Sequence, residues 1–240
     1  MGLYIETRVC VDLETLWERT QEPARHQRWD LRFTEISYLP RAEGEPQHFR
    51  YATRVLPFLA VAGTGVSAGE RHRVGGDRVS ALRFSSSHPL SLLAEGSGYW
   101  RYVPTPDGVR FLTGYDYRPR WGRLGRVADR LVFRPLVGWA TAWSFDRLRL
   151  WCESGVTPEH SRNRWLRETA ARLLLVAVPC AVASLPLGAL SLAAVPLTAL
   201  GLATAVLVPP SSRTPAARRC LRVPPARTRE PRLLAALEQP

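Results

Sequence analysis

The sequence predicts an α+β domain followed by a transmembrane helical hairpin. Three observations carry that prediction. The N-terminal segments alternate apolar and polar residues with period two, Trp121 to Glu153 changes to helical period, and Leu173 through Ser212 runs for 40 residues without a charge. The 240 residues hold 33 basic and 21 acidic side chains, a net charge of +12, and every basic residue is Arg. With 45% hydrophobic and 9% aromatic residues the chain can bury a core and is not a disordered polyelectrolyte. Cys10, Cys152, Cys180 and Cys220 lie far apart with no C-x-x-C, which excludes a disulfide scaffold and argues against a zinc module. The opening MGLYIETRVCVD lacks a basic stretch leading into an apolar one, so no signal peptide is expected.

Leu3, Ile5, Thr7, Val9 and Val11 alternate with Tyr4, Glu6, Arg8 and Cys10, the pattern of a half-buried strand. Asp12 then suits the N-cap of a helix carrying Leu13, Leu16 and Trp17, with Glu14 near its positive dipole end. Glu22-Pro23 opens a second short helix that ends near Trp29-Asp30. Trp17 and Trp29 are expected to anchor the core. Strand-like stretches follow at 32–39, 47–55, 59–67, 78–84, 91–103 and 109–117, and Pro104-Thr105-Pro106-Asp107-Gly108 reads as a hairpin turn. In the long helix Leu124, Val127, Leu131, Trp139, Trp143, Leu150 and Trp151 mark the apolar face, and Pro135 should kink or divide it.

Beyond this domain the charge balance shifts. Residues 1–155 hold 22 Arg and 17 acids, and residues 156–240 hold 11 Arg and 4 acids. Within Leu173–Val208, Leu, Val and Ala fill 26 of 36 positions, a composition that belongs in a bilayer. A single helix of that length would be about twice as long as the hydrocarbon core is thick. Pro179, Pro186, Gly188 and Pro196 interrupt it, and Arg flanks both ends. The positive-inside rule then favours two crossings, with one crossing as the alternative. The expected organisation is a ligand-binding domain at 1–153, a juxtamembrane helix at 154–171 capped by Thr157 and Pro158, a hairpin at 172–209 and an Arg/Pro-rich tail at 210–240. Arg164, Trp165, Arg167, Arg172, Arg213, Arg218 and Arg219 are expected at the membrane surface, with domain and tail both cytoplasmic.

Val11-Asp12-Leu13-Glu14-Thr15-Leu16-Trp17, followed by Glu22-Pro23-Ala24-Arg25-His26-Gln27-Arg28-Trp29-Asp30, resembles the opening of the START-like superfamily, with Glu22 where the family's segment begins with Asp. That superfamily includes polyketide cyclases, coenzyme Q-binding proteins and Bet v 1-like proteins, and the resemblance covers about residues 3–153. It implies a helix-grip fold, a curved antiparallel sheet around a long C-terminal helix with an apolar cavity between them. It also implies a lipid, isoprenoid or polyketide-like ligand. The family's pattern is one of fold, and only some of its members are enzymes.

Catalytic motifs are sparse. The five His are scattered, and no metal-binding pair, nucleophile elbow or phosphate loop occurs. Asp30 beside His26 is read as a helix-end carboxylate with a surface imidazole. Gly63-Thr64-Gly65 and Gly96-Ser97-Gly98 are read as marks of sheet bending rather than phosphate cradles. The expected ligand-binding set is Tyr99, Arg101, Thr113, Tyr115, Tyr117, Trp139 and Trp143, with Arg101 as the polar anchor; the alternatives are a solvated outer face for the strand residues and a core position against the sheet for Trp139 and Trp143. No metal or other cofactor is expected. The Pro-separated arginines of the tail offer no stacking platform, so membrane rather than nucleic acid is the expected partner. The expected function is membrane-tethered binding of a hydrophobic or amphiphilic small molecule, and the alternative is a cyclase- or aromatase-like enzyme.

Overall fold

A computed structural model describes residues 2–56, 59–72, 76–185 and 188–225. The chain divides into two units. Among the described residues the first comprises those up to Gly155 together with 216–225, and the second spans Val156–Pro215.

The first unit is an α+β fold. Its elements are β1 (Leu3–Val9), α1 (Leu13–Gln21), α2 (Pro23–Trp29), β2 (Glu35–Tyr38), β3 (His48–Leu56), β4 (Leu59–His72), β5 (Arg78–Ser85), β6 (Leu93–Thr105), β7 (Gly108–Pro119), α3 (Gly122–Ala128) and α4 (Arg134–Ser154). The strands form one antiparallel sheet in the order β1-β7-β6-β5-β4-β3-β2. Every strand expected from the sequence is present within a few residues of its expected bounds. Asp12 caps α1 as its position suggests, accepting the Thr15 N–H at 2.8 Å. The β6–β7 turn is tighter than expected, because Thr105 already pairs with Gly108. Gly108 has φ +131°, and a Cβ there would overlap the Val9 carbonyl, so the turn requires glycine.

The sheet grips α4. Phe145 of α4 stacks on Phe111 of β7 with ring centroids 4.5 Å apart, and Trp29 lies edge-on to Phe145 at 6.2 Å. Trp29, Tyr102, Phe111, Phe145, Leu16 and Val9 are fully buried and define the core. Trp17 packs at its margin, 5.0 Å from the Tyr102 ring.

The single helix expected over 121–153 is divided. A π-helical turn, Asp129–Phe133, separates α3 from α4, and Pro135 falls in the first turn of α4. Phe133 and Arg134 are themselves helical, so Pro135 lies within a continuous helical run, and the wide turn just before it accommodates the ring and the missing N–H. The N-terminal half of the expected apolar face is not core. Leu124, Val127 and Leu131 are 72%, 55% and 69% exposed, because α3 packs lightly on the end of β7 instead of lying along the sheet.

The tail also departs from expectation. Residues 216–221 pack on α4 and β1. The Ala216 N–H and the Arg219 guanidinium both donate to Asp146 at 2.8 Å, and Glu6 and Leu221 exchange backbone bonds at 2.9 Å. Ala216, Ala217 and Cys220 are buried there, so the first unit is closed by chain that lies beyond the apolar segment.

The second unit is a helical pair, α5 (Pro158–Ala183) and α6 (Ala189–Leu207). Thr157 caps α5 by accepting the His160 N–H, and Pro158 takes the first helical position. Among the described residues one helix is long and apolar enough to cross a membrane, at Leu190–Leu207. The second of the two expected crossings is not shown by α5, whose first half carries charge and whose apolar part is Leu173–Ala183.

Candidate ligand cavity

Between the concave face of the sheet, α2 and the first turns of α4 lies a cavity of about 530 Å³. Its walls are chiefly apolar, from Ile36, Val61, Leu82, Leu92, Phe133, Leu136, Val137 and Ala140. Glycine keeps it open. A Cβ on Gly63, Gly65, Gly96 or Gly98 would overlap the ring of Tyr51, Phe49, Phe84 or Tyr115 respectively, and each of those rings lines the cavity. The glycines let the rings lie flat on the sheet instead of standing into the space. The Gly-rich pairs read as sheet bends therefore serve the cavity floor.

One polar cluster stands out in the wall. Asp30, whose side chain is fully buried, accepts from Arg32 through both oxygens, Nε to Oδ1 at 2.9 Å and a terminal nitrogen to Oδ2 at 2.6 Å. His26 Nε2 lies 3.0 Å from the same Oδ2. The Arg32 guanidinium sits 4.9 Å from the Tyr115 ring, and the Trp100 indole N–H donates to the Tyr115 hydroxyl at 3.4 Å. His26 and Arg32 each keep 12% of their side-chain surface, and both line the cavity.

The electrostatics leave this cluster neutral. Burial alone would raise the Asp30 carboxyl, but Arg32 and His26 outweigh it and hold the group well below the usual carboxylate range. Burial pushes the His26 imidazole down, and the attraction of Asp30 does not fully offset it. The charges of Arg32 and Asp30 therefore cancel while His26 stays uncharged. A second group closes the α4 end, where the Tyr117 hydroxyl donates to Asp129 of the π turn at 2.5 Å and Arg134 pairs with the same carboxylate at 3.5 Å. At the opposite end Gln21 donates to the Tyr102 hydroxyl at 2.9 Å.

The depressed His26 fixes a pH dependence. Below pH 6.5 the unfolded chain binds a proton that the folded imidazole resists, so this contribution to stability is full above that pH and is lost as pH falls below it. Thermal midpoints measured between pH 7 and pH 5 should fall more steeply for the parent chain than for His26→Gln. Equal slopes would show that His26 titrates normally.

The structure separates the expected site residues. Tyr115 and Tyr117 line the cavity, and Thr113 shares their face but is sealed beneath it, donating to the Tyr99 carbonyl at 2.9 Å. Tyr99 and Arg101 lie on the other face. Tyr99 packs with Tyr4, Val79, Ala81 and Leu112, and Arg101 pairs with Asp77 at 2.6 Å, so Arg101 does not line the cavity as expected and the guanidinium in its wall is that of Arg32. Trp100 faces the cavity in place of its two neighbours. On α4, Phe133, Leu136, Val137 and Ala140 meet the cavity, while Trp139 and Trp143 stack on each other, at 6.3 Å, one face over. Of the expected membrane-surface set, Arg172 pairs with Glu168 and caps α6, and Arg219 is bound to Asp146 of the domain. Arg164, Trp165, Arg167, Arg213 and Arg218 remain expectations. Among the described residues no cluster of His, Cys, Asp and Glu is arranged to hold a metal.

No family model matches the chain. A curated relative, the "uncharacterized membrane protein YndG" of Bacillus subtilis, is 51% identical over 158 residues, which is 65% of this chain. The match spans 59% of that relative's length. Among solved structures the chain is similar to a STAR-related lipid transfer protein from Xanthomonas axonopodis, at 16% identity and a TM-score of 0.46, covering 60% of this chain and 81% of that one. It is also similar to the aromatase/cyclase StfQ of the steffimycin pathway, at 15% identity and a TM-score of 0.46, covering 62% and 48%. A START superfamily protein from Mycobacterium smegmatis matches at 15% identity and a TM-score of 0.42, covering 60% and 96%.

Proposed function

We propose that this chain is a membrane-tethered binder of an amphiphile, holding the apolar part in the cavity and an uncharged polar head at the Arg32–Asp30–His26–Tyr115 cluster. The observation that carries the reading is the pairing of a large apolar cavity with one buried, self-neutralised polar cluster in its wall. Burial of apolar surface supplies affinity at roughly 0.8 kcal/mol per methylene. The cluster supplies orientation, donating to a carbonyl, ester or hydroxyl oxygen. It has no uncompensated cation for a carboxylate or phosphate, whose desolvation would go unmatched. The exposed stripe of Leu124, Val127 and Leu131 leads toward Phe133 and Leu136 of the wall and offers such a molecule an apolar approach.

Tethering rests on the uncharged segment 173–212 and agrees with a relative described as a membrane protein. The arginines flanking it favour a cytoplasmic domain and tail. A cyclase-like activity is the second reading, favoured by one feature. His26 against a buried carboxylate is the arrangement of a proton acceptor.

Replacing Ala140 with Phe fills the cavity at its α4 wall without touching the polar cluster. Mass spectrometry of lipid extracted from the purified full chain should show a bound amphiphile in the parent and none in Ala140→Phe, at similar thermal midpoints. The same molecule recovered equally from both proteins would remove the cavity from the proposal. Loss of product rearrangement in His26→Gln, with ligand retention unchanged, would favour the enzyme.

A further inference from the structure

We infer that α5 and α6 form a re-entrant wedge, entering and leaving the bilayer on one face with the tip held in the hydrocarbon. This rests on the reading that residues 173–208 enter a membrane.

The apolar segment begins and ends in chain bound to the same unit. Residues up to Gly155 and the described tail residues 216–225 build one fold, with Arg219 and the Ala216 N–H on Asp146. A folded unit cannot lie on both sides of a bilayer, so a single crossing by α6 is excluded although α6 alone is long enough. Two complete crossings require about 20 apolar residues in each leg. The second leg has 19, but the first has only the 11 residues Leu173–Ala183. At 1.5 Å per residue that is about 16 Å, roughly half the hydrocarbon thickness.

The base of the wedge is fixed by charge. Arg172 donates to the carbonyls of Ala205 and Val208 at 2.8 Å and to Glu168 at 2.7 Å, capping the end of α6. Such a charged pair belongs among headgroups. Gly201 lies directly against Leu175, where any side chain would strike the Leu175 carbonyl, so the legs touch backbone to backbone just inside the base. Although α6 as a whole could cross, Arg172 holds it at Ala205, and from there to Ala189 the leg rises about 24 Å, short of a core about 30 Å thick.

The tip matches that depth. Ser184, Leu185, Gly188 and Ser191 surround it without a charge, and 173–212 contains no Trp, Tyr or Arg to anchor it at a far interface. Its polar groups turn inward. Ser184 donates through its N–H to the Cys180 carbonyl and through its hydroxyl to Ala181, Leu185 N–H donates to Val182, and the Ser191 hydroxyl donates to Gly188. Internal pairing of this kind is what a chain reversal surrounded by lipid needs.

Thiol labelling of the full chain in sealed membrane vesicles of both orientations tests the wedge, using a membrane-impermeant maleimide. Exposed native Cys10 marks the side of the domain. Arg213→Cys should label only where Cys10 labels. Ser184→Cys should add no label over the parent in either orientation, and should add it once detergent dissolves the bilayer. Label at position 184 from the side opposite Cys10 would establish two full crossings, and label from the same side would place the tip outside the hydrocarbon. Label at 213 opposite Cys10 would establish a single span. Each of those three results overturns the wedge while leaving the tether intact. Recovery of the parent chain in the soluble fraction would instead overturn the tether itself.

Discussion

Asp30→Ala should destabilise the domain by about 3–5 kcal/mol, the scale for removing one partner of a buried ion pair. The substitution leaves the Arg32 guanidinium in the cavity wall without the carboxylate that binds it twice, and it strips His26 of its acceptor. The double substitution Asp30→Ala/Arg32→Leu should recover much of that loss, since an apolar replacement removes the stranded charge as well. Thermal unfolding of the full chain in detergent, followed by tryptophan fluorescence, reads both variants, because Trp29 and Trp100 pack directly on His26. A single variant within about 0.5 kcal/mol of the parent, the usual range for surface substitutions, would mean that the pair is solvated and not a wall element.

A comparable loss is expected at the tail. A chain ending at Gly155 exposes the surfaces that bury Ala216, Ala217 and Cys220, and leaves buried Asp146 with Arg149 but without Arg219 or the Ala216 N–H. Unmaking hydrogen bonds to a buried charge costs about 1.5–3 kcal/mol each, so the shortened chain should be markedly less stable than the full one. The sequence alone leads to the opposite expectation, that residues 3–153 fold as an independent domain. Adding residues 216–225 as a separate peptide should raise the midpoint of the shortened chain, and above the dissociation constant the rise should follow the logarithm of peptide concentration. No response to the peptide would show that the tail is only loosely associated.

Much of the fold is legible because its signals are local. The Asp12 cap, the Pro23 helix start and the alternation of each strand depend on neighbours within a few residues, and all appear where expected. The candidate site is less legible because it depends on register. Treating Pro104–Gly108 as a five-residue turn pairs Tyr99 with Thr113 and puts Arg101 on the cavity face. The structure shortens the turn by pairing Thr105 with Gly108, so Tyr99 pairs with Gly114 and Trp100 with Thr113. That shifts the register by one residue, which reverses the face of the whole strand. Tyr115 and Tyr117 keep their expected face while Tyr99 and Arg101 lose it.

His26 and Asp30 are close in sequence, and the pair is visible there, but nothing local shows that α2 turns them toward a cavity. Arg32 becomes their partner only once the chain bends after Trp29. The tail leaves no readable signal at all, since Asp146 sits in an ordinary amphipathic helix 70 residues before the Ala216 N–H it accepts. The exposed Leu124 stripe misleads for a related reason. Its spacing is that of a buried helix face, while α3 opens at the left-handed Trp121, φ 67°, and is set off from α4 by the π turn.

The head-group preference of the cavity tests the central claim most directly. Competition against a fluorescent single-chain probe at pH 7 should be run on the full chain in detergent with three ligands of equal chain length, an alcohol, a methyl ester and a carboxylate. The alcohol and ester should displace the probe, and the carboxylate should bind at least about tenfold more weakly, a difference of about 1.4 kcal/mol set against it by Asp30, whose charge already engages Arg32. A carboxylate that binds as tightly as the ester, or more tightly, would contradict the neutral cluster and with it the proposed ligand class.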